Sequence, residues 1–220
     1  MLRVRCTLEG HALADYVARQ LNAAYPDGAE VTRTLMRVLV PRALARVETC
    51  FSHIDNKYFF DGQSAVFDHL HGDQYAMFLY LLSNEAHRAG EPGAAKKLFL
   101  LNKAMFGVDA FYEVQLPDIF LFVHPLATVL GRATYSDYLI VYQRVGIGSN
   151  RDVYPTLGRH LTLHPGAKVL GRSAVGDHCR IASEAFLLDR DLEDGMLYMG
   201  GPREPVIKPR PEPAPIWRTL

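Results

Sequence analysis

The sequence predicts an α+β chain, an N-terminal α-helical domain followed by a parallel β-helix built from hexapeptide repeats. Two observations predict it: apolar residues at helical spacing over the first half, and a beat of six residues over the second. Neither the 3.6-residue period of an amphipathic helix nor the two-residue alternation of a strand produces that beat. A stack of three-faced coils does, each turn hiding its apolar side against the next. The reading divides the chain into a helical domain over 1–112, a β-helix over 113–198 and an extended proline-rich tail over 199–220.

In the first half, Leu13, Val17, Leu21 and Ala24 lie on one helical face, which stops at Tyr25-Pro26-Asp27-Gly28. Val31, Leu35, Val38 and Leu39 open a second stripe, and Pro41 is expected to start a further helix or kink this one, because its ring removes a hydrogen bond. Met77, Phe78, Leu81 and Leu82 mark a third helix over 74–88, with Asp73 as its N-cap, and a Glu91-Pro92-Gly93 turn leads to a fourth over 94–106. Asp68, His69, His71 and Asp73 stand close together, but no distant ligand accompanies them at metal-binding spacing, so a capping turn is expected and no metal. The run Lys57-Tyr58-Phe59-Phe60 reads as core packing. At Phe111 the composition turns aromatic and β-branched, the mark of strands.

The beat falls on Val123, Val129, Tyr135, Val141 and Ile147, then on Leu157, Leu163, Val169, Val175, Ile181 and Leu187. Four extra residues between Ile147 and Leu157 require the segment 149–156 to bulge as a loop, which its polar residues and Pro155 suit. This register gives three complete coils and a partial fourth. Small residues at Ala127, Ala133, Ala167, Ser173, Cys179 and Ala185 fit tight corners. Equivalent positions stack about 4.8 Å apart, so side chains form columns. Tyr138, His160 and His178 form one, beside Asp137, Arg159 and Asp177. Others hold His124, Tyr142 and His164, and Arg132, Arg172 and Arg190. Such columns are either solvated ladders or a place for a histidine base, the side chain that exchanges a proton near neutral pH.

Formal net charge is zero, which removes the electrostatic case for nucleic acid or an anionic membrane as partner. Cys6, Cys50 and Cys179 are widely spaced and make no CxxC pattern, so a reducing compartment is expected. The beginning, MLRVRCTLEG, has no apolar signal core, and no apolar run approaches membrane-spanning length, so the expected location is cytoplasmic.

The stretches FVHPLATVLGRA (Phe122 to Ala133) and HPGAKVLGRSAVGDHCRI (His164 to Ile181), with the closing GGPREPV, resemble the hexapeptide-repeat acyltransferases, most closely serine O-acetyltransferase. The resemblance covers about half of the chain. It implies a left-handed parallel β-helix, a homotrimer or a dimer of trimers, acetyl-CoA as cosubstrate and a small-molecule acceptor, an amino acid or a sugar nucleotide. It further implies a cofactor groove at Ser183, Gly201, Arg203 and Lys208. The family's Asp-His pair meets Ser136-Asp137-Tyr138 here, with tyrosine in place of the base, and its second histidine meets Tyr154. Tyrosine, with a pKa of about 10, is a weak base at neutral pH. His160, from the neighbouring column, is therefore the expected catalytic base, with Asp137, Tyr138 and Tyr154 around it. Two other readings stand beside this one: a non-catalytic paralogue that binds a ligand or partner, and a zinc lyase on the same fold using His124, His160 and His164. In some members a C-terminal isoleucine engages cysteine synthase; this chain ends Trp217-Arg218-Thr219-Leu220.

Overall fold

The computed structural model describes residues 4–9, 11–210 and 216–218. The chain forms two compact units, one of Met1–Met105 with Ile216–Leu220, the other of Phe106–Pro215. No helix among the described residues is long and apolar enough to cross a membrane.

In the first unit β1 (Arg5–Cys6) pairs in parallel with β2 (Val66–Phe67) beside four helices. Helix α1 (Ala12–Ala24) buries Leu13, Ala14, Val17, Ala18 and Leu21, the expected stripe. Helix α2 (Arg33–Ser52) starts where the Thr32 hydroxyl accepts from the Leu35 N–H at 3.1 Å. It runs through Pro41 without a second start: the proline stands on the exposed side, and the apolar stripe continues on Ala43, Leu44, Val47 and Phe51. Helix α3 (Gly72–Arg88) is capped by His71, not by Asp73, which sits in its first turn. Its sequence from Gln74 to Asn84 is buried on every side, because the other helices surround it. Helix α4 (Pro92–Phe106) begins on its proline, where the missing N–H costs nothing. Of the aromatic run only Phe59 is fully inside, whereas Tyr58 is exposed and Phe60 carries the Arg218 guanidinium 3.5 Å above its ring.

The second unit is a parallel β-solenoid with three faces. One face stacks β3 (Val108–Ala110), β5 (Thr128–Leu130), β7 (Gly146–Gly148), β10 (Lys168–Leu170) and β13 (Phe186–Leu188). A second stacks β4 (Phe120–Val123), β6 (Leu139–Tyr142), β9 (Thr162–Leu163), β12 (Arg180–Ile181) and β14 (Met196–Met199). The third carries β8 (Thr156–Leu157) and β11 (Ala174–Val175), extended by bridges from Thr134 to Thr156 and from Val175 to Leu192. From Thr128 onward four coils are complete, one more than the beat indicated, since Leu192 and Tyr198 carry it beyond Leu187. An incomplete turn, β3 and β4, precedes them.

The first beats are corrected by one residue. Val129 is 49% exposed and Leu130, 1% exposed, pairs with Ile147. Likewise Phe122, not Val123, pairs with Val141 and is fully buried. The reason is the corner between them, where His124 and Ala127 both take left-handed backbone, at φ 48° and 56°, and lengthen that turn. Beyond Tyr135 the expected register holds: Ile147, Val169 and Leu187 pair in one inward column, Val141, Leu163, Ile181 and Tyr198 in another. The small residues of the later coils, Ala167, Ser173, Cys179 and Ala185, are buried at their corners. The expected loop is a two-residue hairpin, with Asn150 and Val153 exchanging both hydrogen bonds across Arg151 and Asp152, each at positive φ. The tail returns as β15 (Val206–Pro209), antiparallel to β14. That edge position accommodates its proline. Pro211, Pro213, Pro215, Thr219 and Leu220 lie outside the described residues.

Candidate active site

One corner of the solenoid holds Tyr138, His160, His178 and Gly195, all at positive φ of 67°, 57°, 58° and 70°. The N–H groups of Tyr138, His160, His178 and Gly195 donate to the carbonyls of Ile119, Asp137, Arg159 and Asp177 in the preceding coil. Backbone ladders therefore fix the side chains one above another. The Tyr138 and His160 rings stack at 4.3 Å and 2°, and the His160 and His178 rings at 4.5 Å and 7°. The Arg159 guanidinium lies 5.4 Å from the Tyr138 ring. Burial first, then the His178 ring and the Arg159 and Arg210 guanidiniums, hold His160 below the usual imidazole range, with Asp177 opposing them.

The neighbouring column explains where the aspartates spend their charge. Asp137 Oδ1 accepts from the Ile119 N–H at 3.1 Å, Asp177 Oδ1 from Arg159 N–H at 2.7 Å, and Asp194 Oδ1 from Asp177 N–H at 2.8 Å. Each carboxylate thus caps the corner of the coil before it. Among the described residues none of these aspartates hydrogen-bonds the His160 ring, so neither Asp137 nor Asp177 orients it through such a bond. At the level of Arg159 the series is interrupted: an arginine stands where a carboxylate would meet the Asp137 N–H. A cleft of about 430 Å³ opens there, lined by Gln115, Leu116, Pro117, Asp118, Tyr135, Ser136, Asp137 and Arg159.

Asp137, Tyr138 and His160 are thus brought together. Tyr154 stands apart, 40% exposed on the segment between the Asn150–Val153 hairpin and β8. Gly201 and Arg203 line a second cleft of about 610 Å³ with Leu188, Pro202 and Glu204. Ser183 is exposed and outside that lining, and Lys208 is exposed on β15 opposite Leu197. The column expected for His124 holds only partly: Tyr142 stacks on His164 at 5.5 Å and 15°, but Tyr142 pairs with Val123, so His124 falls one residue beyond. Burial and the Arg180 charge hold His164 below the usual imidazole range.

No family model matches the chain. It is 28% identical over 141 residues to a serine acetyltransferase of Helicobacter pylori strain J99, covering 62% of this chain and 82% of that one. Its fold matches the serine acetyltransferase of Brucella abortus with TM-score 0.69 at 18% identity, covering 91% of this chain and 83% of the other. A serine acetyltransferase in complex with CoA matches with TM-score 0.69 at 17% identity, covering 90% and 84%. These likenesses, together with the β-solenoid, support kinship with the hexapeptide-repeat acyltransferases, close to serine O-acetyltransferase.

For a hexapeptide-repeat chain, columns are the natural unit of a site, since residues 17 to 22 positions apart in sequence share one corner. Asp118 and Gln115 escaped the sequence reading because they precede the regular repeat. Arg159 was visible as the odd member between Asp137 and Asp177, and that interruption was the available signal.

Proposed function

We propose that this chain is an acetyl-CoA-dependent acetyltransferase whose acceptor is a small molecule, an amino acid in preference to a sugar nucleotide, with His160 as general base. The left-handed coil, the trimeric assembly and the cytoplasmic location expected from the sequence belong to the same reading. Its main support is that His160, an imidazole held below its usual range, follows Arg159 in the chain and stacks on Tyr138, which follows Asp137; Arg159 and Asp137 both line the cleft. A neutral imidazole can take the proton of an acceptor hydroxyl or amine as that atom attacks the thioester carbon, and return it to the leaving sulfur. Tyr138, stacked on its face, fixes the ring plane.

The amino-acid preference rests on charge. The Arg159 guanidinium and the Asp137 N–H suit a carboxylate, the group that fills this place on neighbouring coils, while Asp118 and Asp137 suit an ammonium. Gly201, Arg203 and Lys208, with Ser183 on the adjoining coil, are assigned to the cosubstrate, the two basic residues matching its phosphates. The test is release of free CoA thiol from acetyl-CoA against panels of amino acids and amino sugars. Turnover with an amino acid is expected, and His160→Ala should lower it by about 10² to 10⁴ while CoA affinity is kept. Turnover with amino sugars alone would refute the acceptor, and a calorimetric titration without CoA binding would refute the whole reading.

A further inference from the structure

The ring stack is longer than a single base requires, and its neighbours are unevenly charged. Both faces of His160 are covered by rings, Tyr138 on one side and His178 on the other. Arg159 precedes it in the chain, and the Arg210 guanidinium acts on it from the returning tail, where the Arg210 N–H donates to the Gly195 carbonyl at 2.8 Å. The carboxylates within reach are Asp137 of the preceding coil and Asp177 of the following one. Both are drawn toward backbone N–H groups, of Ile119 and Arg159. Among the described residues, a proton arriving on His160 would thus join a site with two permanent cations and a second imidazole 4.5 Å away, opposed by the Asp177 charge but with no carboxylate bonded to the ring.

We propose that His178 and Arg159 are positioning residues for this reaction: held in register by the solenoid, they add to burial in opposing protonation of His160. The catalytic meaning of this inference rests on His160 being the base, but the electrostatic claim stands on geometry that exists without substrate. It explains why a histidine, and not an aspartate, lies next to His160. A carboxylate there would stabilise the imidazolium and raise the pH at which the ring loses its proton. It also separates two effects of the stack. Tyr138 supplies a flat neutral surface, whereas His178 supplies a surface that becomes repulsive whenever it gains a proton.

The test is an NMR titration of the His160 ring Cε1–H in the full chain, from neutral to acidic pH, without substrate. In His178→Phe the stacked ring remains but cannot be charged, so the His160 midpoint is expected to move up. Arg159→Met should move it the same way, and Arg159→Lys, which keeps the charge, should restore the original midpoint. An unchanged midpoint in both His178→Phe and Arg159→Met would overturn the inference, as would Arg159→Lys behaving like Arg159→Met. Spectra of the three variants that match the parent outside this corner establish that the fold is kept. Where acetyl transfer is measured, the acid limb of kcat/KM should shift to higher pH in His178→Phe. Failure of that shift with the NMR midpoint moved would remove His160 as base while leaving its electrostatic setting intact.

Discussion

Replacing Leu130 with alanine should destabilise the solenoid, and replacing its neighbour Val129 should not. Leu130 is 1% exposed and continues the inward column of Ile147, Val169 and Leu187, whereas Val129 is 49% exposed. Leucine to alanine removes three carbons. At about 0.8 kcal/mol per buried CH₂ that is about 2.4 kcal/mol, and the cavity left behind places the total within the roughly 2–5 kcal/mol range of buried leucine truncations. Truncating a half-exposed valine is expected to stay within about 0.5 kcal/mol. With a urea slope of about 2 kcal/mol per molar, Leu130→Ala should lower the unfolding midpoint by about 1 M or more. Urea titrations of both variants, followed by far-UV circular dichroism, measure the difference. A Val129→Ala midpoint depressed as far as that of Leu130→Ala would refute the one-residue correction and restore the uninterrupted beat of six.

Two further outcomes follow from the corners. Gly171 has φ +73°, and a Cβ there would press on the Asp189 carboxylate and lie 2.8 Å from Asn150 Cβ, so Gly171→Ala should cost roughly 1–3 kcal/mol in backbone strain and lost bonding. Asp189 accepts there from Asn150 Nδ2 at 2.6 Å and Arg172 N–H at 2.9 Å; an unchanged thermal midpoint for Gly171→Ala would count against this bracket. Acid should also weaken the fold. His160 and His164 are held below their unfolded pKa of about 6.5, so the unfolded chain binds more protons, and stability present above that value is lost as pH falls below it. Urea midpoints that do not change between pH 7.5 and 5.5, or that fall equally in a His160→Asn/His164→Asn double variant, would contradict this assignment.

The period carried most of the solenoid because each coil repeats the same physical problem, an apolar residue inward and a small one at the corner. It failed where local backbone geometry altered the count. Two left-handed residues at His124 and Ala127 add length, and a valine stands on the outside at 129 in a place that composition cannot distinguish from the inside. The same limitation applied at Pro41. A proline signals a missing N–H, but whether the helix stops depends on which side the ring faces, and here it faces out. Asp73 was a plausible cap by type, yet His71, two residues earlier, supplies the acceptor to Gln74.

The candidate site was legible where it is made of columns and illegible where it is made of breaks in them. Tyr138, His160 and His178 could be stacked from sequence alone, because their backbone N–H groups are tied coil to coil and later register errors are absent. What sequence spacing could not supply was the direction of the aspartates. An Asp one residue before a His invites the reading of an orienting pair, but in a solenoid corner the short carboxylate meets a nearer demand, the N–H of the preceding coil. A buried or half-buried N–H without an acceptor costs about 1–3 kcal/mol, enough to hold the carboxylate there. With those carboxylates turned to the backbone, burial first and then the His178, Arg159 and Arg210 groups hold the His160 ring below the usual imidazole range, against the opposing Asp177 charge.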